Sequence, residues 1–481
     1  MKYFKKIASL VLALALALVL AVPAMAANTY TITAPNNGHT YEVYQIFTGD
    51  LYNGVLSNVK WGQNGTGTTG AAVPDSILEE LEKATGTDTE KLAVITKYVN
   101  LSSTPYNTVV GGTPLTGVPA GYYLIKDVDG ALAGENDSYT TYIVEVVDDV
   151  TIAPKSDVPE VEKKVKDTND STGDTSGWQD SADYDIGDSV PFQLTATLAD
   201  NVSAYTTYKV VFHDTLSKGL TYNNDAKVYI DGKETSGFTV TATVNADGTT
   251  TLTVSCDDVK ALGASNSSVI TVEYTATLDD DAVLGSAGNP NEVYLEYSNN
   301  PNKSEAGNNE TGNTPTDKVI VFTYKVIVNK VDGEGAPLTG AEFTLEKYNK
   351  ETGEWEAITA VKNDEGTTFT FSGLDDGKYR LTETKTPAGY NSIAPIEFTI
   401  TAEHDVLADD PALTSLSGNA TTGEITFTSS TAEGSLSTNV VNKAGSTLPE
   451  TGGIGTTIFY VLGAVLVVGA GVVLVTKKRM G

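Results

Sequence analysis

The chain has one cysteine, three histidines and three tryptophans in 481 residues. A single thiol, Cys256, cannot close an intrachain disulfide, so no cystine framework holds the fold together. In Leu252-Thr253-Val254-Ser255-Cys256 it shares the apolar face of an alternating stretch, which makes it a buried packing residue rather than a nucleophile. His39, His213 and His404 stand far apart and fall in separate predicted domains. Neither a Ser-His-Asp set nor a histidine-based metal site assembles from them, and an extracellular enzyme is disfavoured. Positive charge is scarce as well, since 31 Lys and Arg against 62 Asp and Glu leave a formal net charge of -31. That excludes nucleic acid, whose phosphates demand clustered Lys and Arg; it is the balance of a soluble, self-repelling surface protein. Residues 167–174 open like a calcium loop, but Trp178 stands where the closing glutamate belongs. The stretch reads as a solvated acidic loop, and no metal or cofactor is expected.

Long apolar runs occur only at the two ends. At the first, Lys2, Lys5 and Lys6 precede an apolar core over 7–22, and Ala24-Met25-Ala26 offers small residues for cleavage, the pattern of a signal peptide over 1–26. At the other, Leu448-Pro449-Glu450-Thr451-Gly452 is followed by an uncharged run over 454–476 and by Lys477-Lys478-Arg479. The run is long enough to span a bilayer, giving a transmembrane segment at 453–476, and the basic residues favour a cytoplasmic tail at 477–481. The arrangement resembles the cell-wall sorting signal of Gram-positive surface proteins. That resemblance implies that a sortase cysteine attacks the carbonyl between Thr451 and Gly452 and passes the threonine to an amine.

Between the ends the periodicity is mostly two. A first domain, 27–155, has alternation at 30–32 and 41–46, a helical period through Ile77, Leu78, Leu81, Leu92, Ile95 and Val99, and strands again at 122–125 and 142–146. A second, 156–302, has strand signals at 161–165, 192–198, 210–216, 249–256, 269–276 and 293–297. The Asn-, Gly- and Thr-rich stretch at 303–318 reads as a linker to a third domain at 319–444, and 445–452 carries the sorting signal. The expected fold is mainly β: three tandem immunoglobulin-like sandwiches, the first with a helical insertion.

Strand alternation also places polar residues on apolar faces. Lys163 lies with Val161 and Val165, Asp214 with Val210, Phe212 and Leu216, and Asn291 with Val293, Leu295 and Tyr297. The third domain repeats the trio: Lys330 with Val326 and Val328, Glu383 with Tyr379 and Leu381, Asn442 with Leu436 and Val440. Alternation alone leaves two readings, ordinary ion pairs with snorkelling amines or a reactive set. In the second, burial lowers the lysine pKa and raises the carboxyl pKa, setting a neutral amine beside a proton shuttle. The amine attacks the Asn carbonyl, ammonia leaves, and a Lys–Asn isopeptide bond results.

Further stretches carry a family resemblance. Lys330-Val-Asp332, Leu338-Thr-Gly340-Ala341-Glu-Phe343 and Tyr379-Arg-Leu-Thr-Glu383 with Pro387-Ala-Gly389-Tyr390 resemble a collagen-adhesin B-type domain. Pro159-Glu-Val-Glu-Lys163, Asp214-Thr-Leu-Ser-Lys-Gly219 and Asn291-Glu-Val-Tyr-Leu-Glu-Tyr297 resemble the middle domain of sortase-assembled backbone pilins of Gram-positive bacteria. The resemblance implies Lys163–Asn291 and Lys330–Asn442 crosslinks catalysed by Asp214 and Glu383, with Asn439, on the other face, as the alternative acceptor. The first domain is similar to the N-terminal pilin domain through 41–50 and 120–125, but its opening strand has no lysine and no bond is expected there. Thr151-Ile-Ala-Pro154-Lys155 resembles the pilin motif in degenerate form, with Ala153 where the family has an aromatic.

These likenesses imply a major pilus subunit at the cell surface, cleaved after Thr451 by a pilin-class sortase and joined to Lys155 of the next copy. Its implied partners are that sortase, a housekeeping sortase, other copies of itself, minor pilins, peptidoglycan and host surface molecules. The alternative is a monomeric wall-anchored adhesin binding a host protein or glycan, which has no need of a nucleophile at Lys155.

Overall fold

The structure, a computed structural model, describes residues 29–84, 88–146, 148–152, 157–307, 309–363, 365–445 and 462–468. The signal peptide, Lys155 and the sorting signal from Leu448 to Gly452 lie outside the described residues. So does most of the apolar run, whose described part, 462–468, is helical. Among the described residues no helix is long and apolar enough to cross a membrane.

The first domain pairs Thr29–Thr33 with Leu115–Pro119 and Val150–Thr151 in one sheet, and sets Thr40–Tyr52 at the centre of a second. Its helical insertion folds as Asp75–Lys83 and Asp88–Ile95. Ile77, Leu78 and Leu81 turn towards a small aromatic core around Phe47 and Trp61, as the 3.6-residue spacing predicts.

The second domain is a sandwich of two antiparallel layers. One contains β1 (Glu160–Val165), β2 (Ser189–Thr197) and, beyond β2, β4 (Val269–Leu278); the facing one contains β3 (Val210–Leu216), β5 (Asn289–Ser298) and β6 (Asp317–Phe322). Inward positions such as Phe192, Phe212, Val254 and Leu295 are wholly buried; Cys256 is buried in the same core. In the third domain, β7 (Tyr324–Val331) and β9 (Ser435–Val441) are parallel neighbours, and β8 (Gly377–Lys385) lies in the opposite sheet.

Two regions depart from the sequence reading. The stretch read as a linker contains Thr311–Asn313 and the start of β6, both of which pair with β5. Turn-rich composition concealed them because their partner is supplied by the second domain's own sheet. The second sandwich therefore runs to Phe322, and Thr323 alone separates it from β7. Gly285 of the second domain and Gly434 of the third approach so closely that a Cβ on Gly285 would lie 2.4 Å from the Gly434 nitrogen.

The acidic stretch from Asp167 is the other departure: Asp167 to Ser171 form part of a socket for the third domain, while Thr172 to Thr175 stay exposed. Lys347 from the third domain reaches Asp170, Asp185 and Asp375 at 3.0, 2.5 and 2.6 Å, and Ser171 Oγ donates to the Tyr348 carbonyl at 3.0 Å. His404 also crosses the boundary, with Nε2 3.6 Å from Asp183 and 3.9 Å from Asp167. The histidines were thus separated from acids in sequence but not in space. Burial and the neighbouring Asp183 push the Asp167 carboxyl up to about 8. Burial and the same aspartate push Asp376 up to about 6, and burial and Asp185 do the same to Asp188, to about 6.

These groups hold protons in the folded state that the unfolded chain has released, so stability falls as pH rises from about 4 to about 8. His404, whose acid neighbours outweigh burial and raise its pKa, works in the same direction. The recombinant chain should melt at higher temperature at pH 5.5 than at pH 8, and Asp167→Asn should raise the pH 8 value towards the pH 5.5 one. Equal melting temperatures in the parent chain would show that the junction carboxyls are not buried.

Candidate functional site

Lys163 sits near the middle of β1, opposite Leu194 of β2, and strand parity turns it inward, where it is 0% exposed. Asp214 and Asn291 come from the facing sheet. Asp214 pairs with Val293 and Asn291 with Leu216, so the two inward side chains are diagonal neighbours on adjacent strands. Both are wholly buried. The Lys163 amine donates to Asp214 Oδ1 at 2.6 Å and lies 5.4 Å from the centre of the Phe192 ring. Burial drives the Lys163 pKa down and the Asp214 pKa up, against the attraction each exerts on the other. Both shifts run towards the neutral amine and the neutral acid.

The acid does not touch the asparagine directly. Between them stands Tyr274 of β4, which strand pairing had not singled out. Its hydroxyl donates to Asp214 Oδ2 at 2.5 Å, accepts from Asn291 Nδ2 at 2.7 Å and accepts from the Lys163 amine at 3.2 Å. Burial and the adjacent carboxylate hold its pKa far above that of free tyrosine. Sequence gave one faint signal for it: a tyrosine among Ile270, Val272 and Ala276 on a core face must find a partner for its hydroxyl.

The third domain builds its set differently. Lys330 on β7 pairs with Val440 of β9, and Asn442 follows β9 directly, its amide nitrogen donating to the Val331 carbonyl at 3.1 Å. Lysine and asparagine thus belong to one sheet, while Glu383 of β8 reaches over from the other. Asn442 Nδ2 donates to both Glu383 oxygens, at 2.9 and 3.0 Å. The Lys330 amine is not on the acid; it donates to the carbonyls of Val331 and Val440, each at 2.9 Å. Burial lowers its pKa. Asn439 pairs with Asn329 and points outward, exposed, whereas Asn442 is wholly buried. In both sites the asparagine carbonyl oxygen is buried without a hydrogen-bond donor, a costly state at the atom where negative charge would develop under attack.

Three family models match this chain. Residues 186–301 match the Gram-positive pilin backbone subunit 2, Cna-B-like domain; 324–410 match the SpaA prealbumin-like fold domain; and 440–480 match the LPXTG cell wall anchor motif. These three stretches are similar to modules of Gram-positive pilins and to a cell wall anchor. It is 27% identical over 397 residues to the trypsin-resistant surface T6 protein of Streptococcus pyogenes serotype M6, spanning 68% of this chain and 70% of that one. The solved T6 backbone pilin of the same organism superposes with a TM-score of 0.54 at 19% identity, covering 87% of this chain and 98% of that one. Its modular three-domain pilin architecture is the fold seen here. The anchor motif makes this a cell-wall surface protein.

Removing Asp214 leaves the Lys163 amine buried without a charged partner, with only the Tyr274 hydroxyl at 3.2 Å to accept from it. In an Asn291→Ala background, where no crosslink can form, Asp214→Ala should cost about 3–5 kcal/mol in denaturant unfolding, and Lys163→Met with Asp214→Leu should recover most of it, because an apolar pair replaces a buried ionisable one without penalty. A single variant within about 1 kcal/mol of the parent would mean that the amine reaches water.

Proposed function

We propose that the protein is the major backbone subunit of a sortase-assembled pilus. In this reading a pilin-class sortase cleaves after Thr451 and joins the threonine to Lys155 of the next subunit; a housekeeping sortase attaches the finished fibre to peptidoglycan. Joining the end of one copy to a different surface of the next is a heterologous contact, which without a closing rotation gives a filament. The protein is a sortase substrate and a structural element rather than a turnover enzyme. The domain models and the T6 likeness support this reading.

The internal bonds belong to the same proposal, and the observation that carries them is the fully buried contact between Lys163 and Asp214, with Asn291 beside it. A neutral Lys163 amine attacks the Asn291 side-chain carbonyl carbon. The new C–N bond forms, the old one breaks, one proton passes from the lysine nitrogen to the departing nitrogen, and ammonia leaves. Lys330 does the same to Asn442 after its amine turns from the two backbone carbonyls towards Glu383. Asn442 is the preferred acceptor because Asn439 is exposed on the outer face.

Intact mass of the fragment 27–451 is expected to fall about 34 Da below the sequence value, one ammonia for each of two bonds. Asp214→Ala and Glu383→Ala should each restore about 17 Da. A fragment at full sequence mass would leave the lysines as ordinary buried ion-pair partners. On cells producing the matching sortase, Lys155→Ala should abolish the high-mass ladder while leaving anchored monomer. A ladder that persists would place the acceptor amine elsewhere, and a parent chain that forms none would favour the wall-anchored adhesin.

A further inference from the structure

We propose that Tyr274 is the proton carrier of the second domain's crosslinking reaction, passing the acid's proton from Asp214 to the nitrogen that leaves Asn291. The inference rests on the reading that Lys163 and Asn291 condense, and it assigns a step which the lysine, acid and asparagine do not complete among themselves.

The need arises from geometry. Condensation requires a proton to move from the lysine nitrogen to the asparagine amide nitrogen, since an amide anion is far too basic to leave. Asp214 is placed to receive that proton, with Oδ1 2.6 Å from Lys163 Nζ. No Asp214 oxygen makes a hydrogen bond to Asn291; the contact of Oδ2 is with the Tyr274 hydroxyl at 2.5 Å. That hydroxyl is the group in contact with Asn291 Nδ2, at 2.7 Å. An unbroken chain therefore runs from Lys163 Nζ through the two carboxyl oxygens and the phenol to the leaving nitrogen. Tyr274 is held there by the stacking of its ring on Phe192, centroids 5.4 Å apart, and it belongs to the sheet that carries Lys163. One sheet thus contributes nucleophile and carrier, and the other contributes acid and acceptor.

The step balances without an external reagent. Lys163 adds to the Asn291 carbonyl carbon, and the amide nitrogen, losing its conjugation, becomes an acceptor. The proton of the neutral Asp214 carboxyl moves to the Tyr274 oxygen as the Tyr274 proton moves to that nitrogen. Asp214 takes the surplus proton from the lysine nitrogen, so acid and phenol end as they began. The C–N bond then breaks and ammonia departs. Because the phenol gives one proton as it gains another, it never becomes phenolate, which is what so thoroughly buried a tyrosine requires.

The third domain needs no such carrier. Glu383 itself contacts Asn442 Nδ2 through both oxygens, and no tyrosine hydroxyl intervenes in those contacts. It serves as an internal control in one molecule.

The test is the mass of the full fragment 27–451 followed in time after rapid expression and purification. Tyr274→Phe keeps the ring and its stacking while removing the hydroxyl. It should emerge about 17 Da below its own sequence mass, where the parent lies about 34 Da below its own, with the third-domain bond complete, and close the remaining bond about 100-fold more slowly or not at all. Tyr222→Phe, in a ring whose centroid lies 5.7 Å from that of Tyr274 and edge-on to it, should match the parent. A Tyr274→Phe chain already carrying both bonds at the first time point would overturn the assignment. So would a Tyr222→Phe chain slowed as much as Tyr274→Phe, since the effect would then be one of aromatic packing. If the parent itself shows only the third-domain deficit, the crosslink reading of the second domain fails before its proton path is in question.

Discussion

A lysine amine placed where no water can reach it constrains the second domain more than any other feature. Lys163 is as buried as the leucines around it, and the acids on its own strand and on β4, Glu162 and Glu273 among them, sit at outward positions. Its partner has to come from the facing layer. The two sheets must therefore close with β1 against β5 and β6, in a register that brings Asp214 of β3 within reach of the amine and sets Asn291 one diagonal from Asp214. The hydrophobic faces alone would tolerate other alignments, because Val, Phe and Leu pack interchangeably at comparable volume. The polar cluster removes that freedom. Its cost in desolvation is offset in part by hydrogen bonds in which Tyr274 takes part three times, while Asn291 Oδ1 is left without a donor.

The same economy of connection appears between domains. β6 completes the second sandwich and β7 opens the third, with Thr323 between them, so no slack remains for independent tumbling. Lys347 then inserts a cation among Asp170, Asp185 and Asp375. At the other boundary the first domain is held by backbone and side-chain atoms together: Tyr139 N donates to the Asn299 carbonyl at 2.7 Å and Gly134 N to that of Thr311 at 2.8 Å, and Asn299 Nδ2 donates to the Leu132 carbonyl at 2.8 Å. Gly312 has no room for a side chain there, as a Cβ would come within 2.3 Å of the Glu135 carbonyl oxygen.

How much of this could be read from the sequence differs from residue to residue. The inward trios were legible because a strand's period of two is strict, so one lysine among valines is conspicuous. The helical insertion was legible from its change of period. Tyr274 was not, because tyrosine is at home in a core and only the spatial meeting of β4, β3 and β5 gives its hydroxyl a role. The socket around Asp167 was illegible for a related reason: an acidic, turn-rich stretch reads as solvated until a lysine and a histidine distant in the chain arrive to cover it. The strand at Asp317–Phe322 failed as a linker reading because its neighbours in sequence are turns while its neighbours in space are strands.

Lys330 and Asn442 stand on the first strand of the third domain and just past its last, side by side. Once joined, they give tension a shortcut. A pull entering along β7 would then leave at Asn442 without passing through the polypeptide between them, and a Lys163–Asn291 bond would do the same for the second domain. The backbone that still carries force is the segment from Asn291 through β6 and Thr323 to Lys330, which is also the segment that welds the two domains together. Everything looped outside that route is mechanically idle. On the proposed reading, those excursions can lengthen, shorten or change their chemistry while the path that bears tension is untouched.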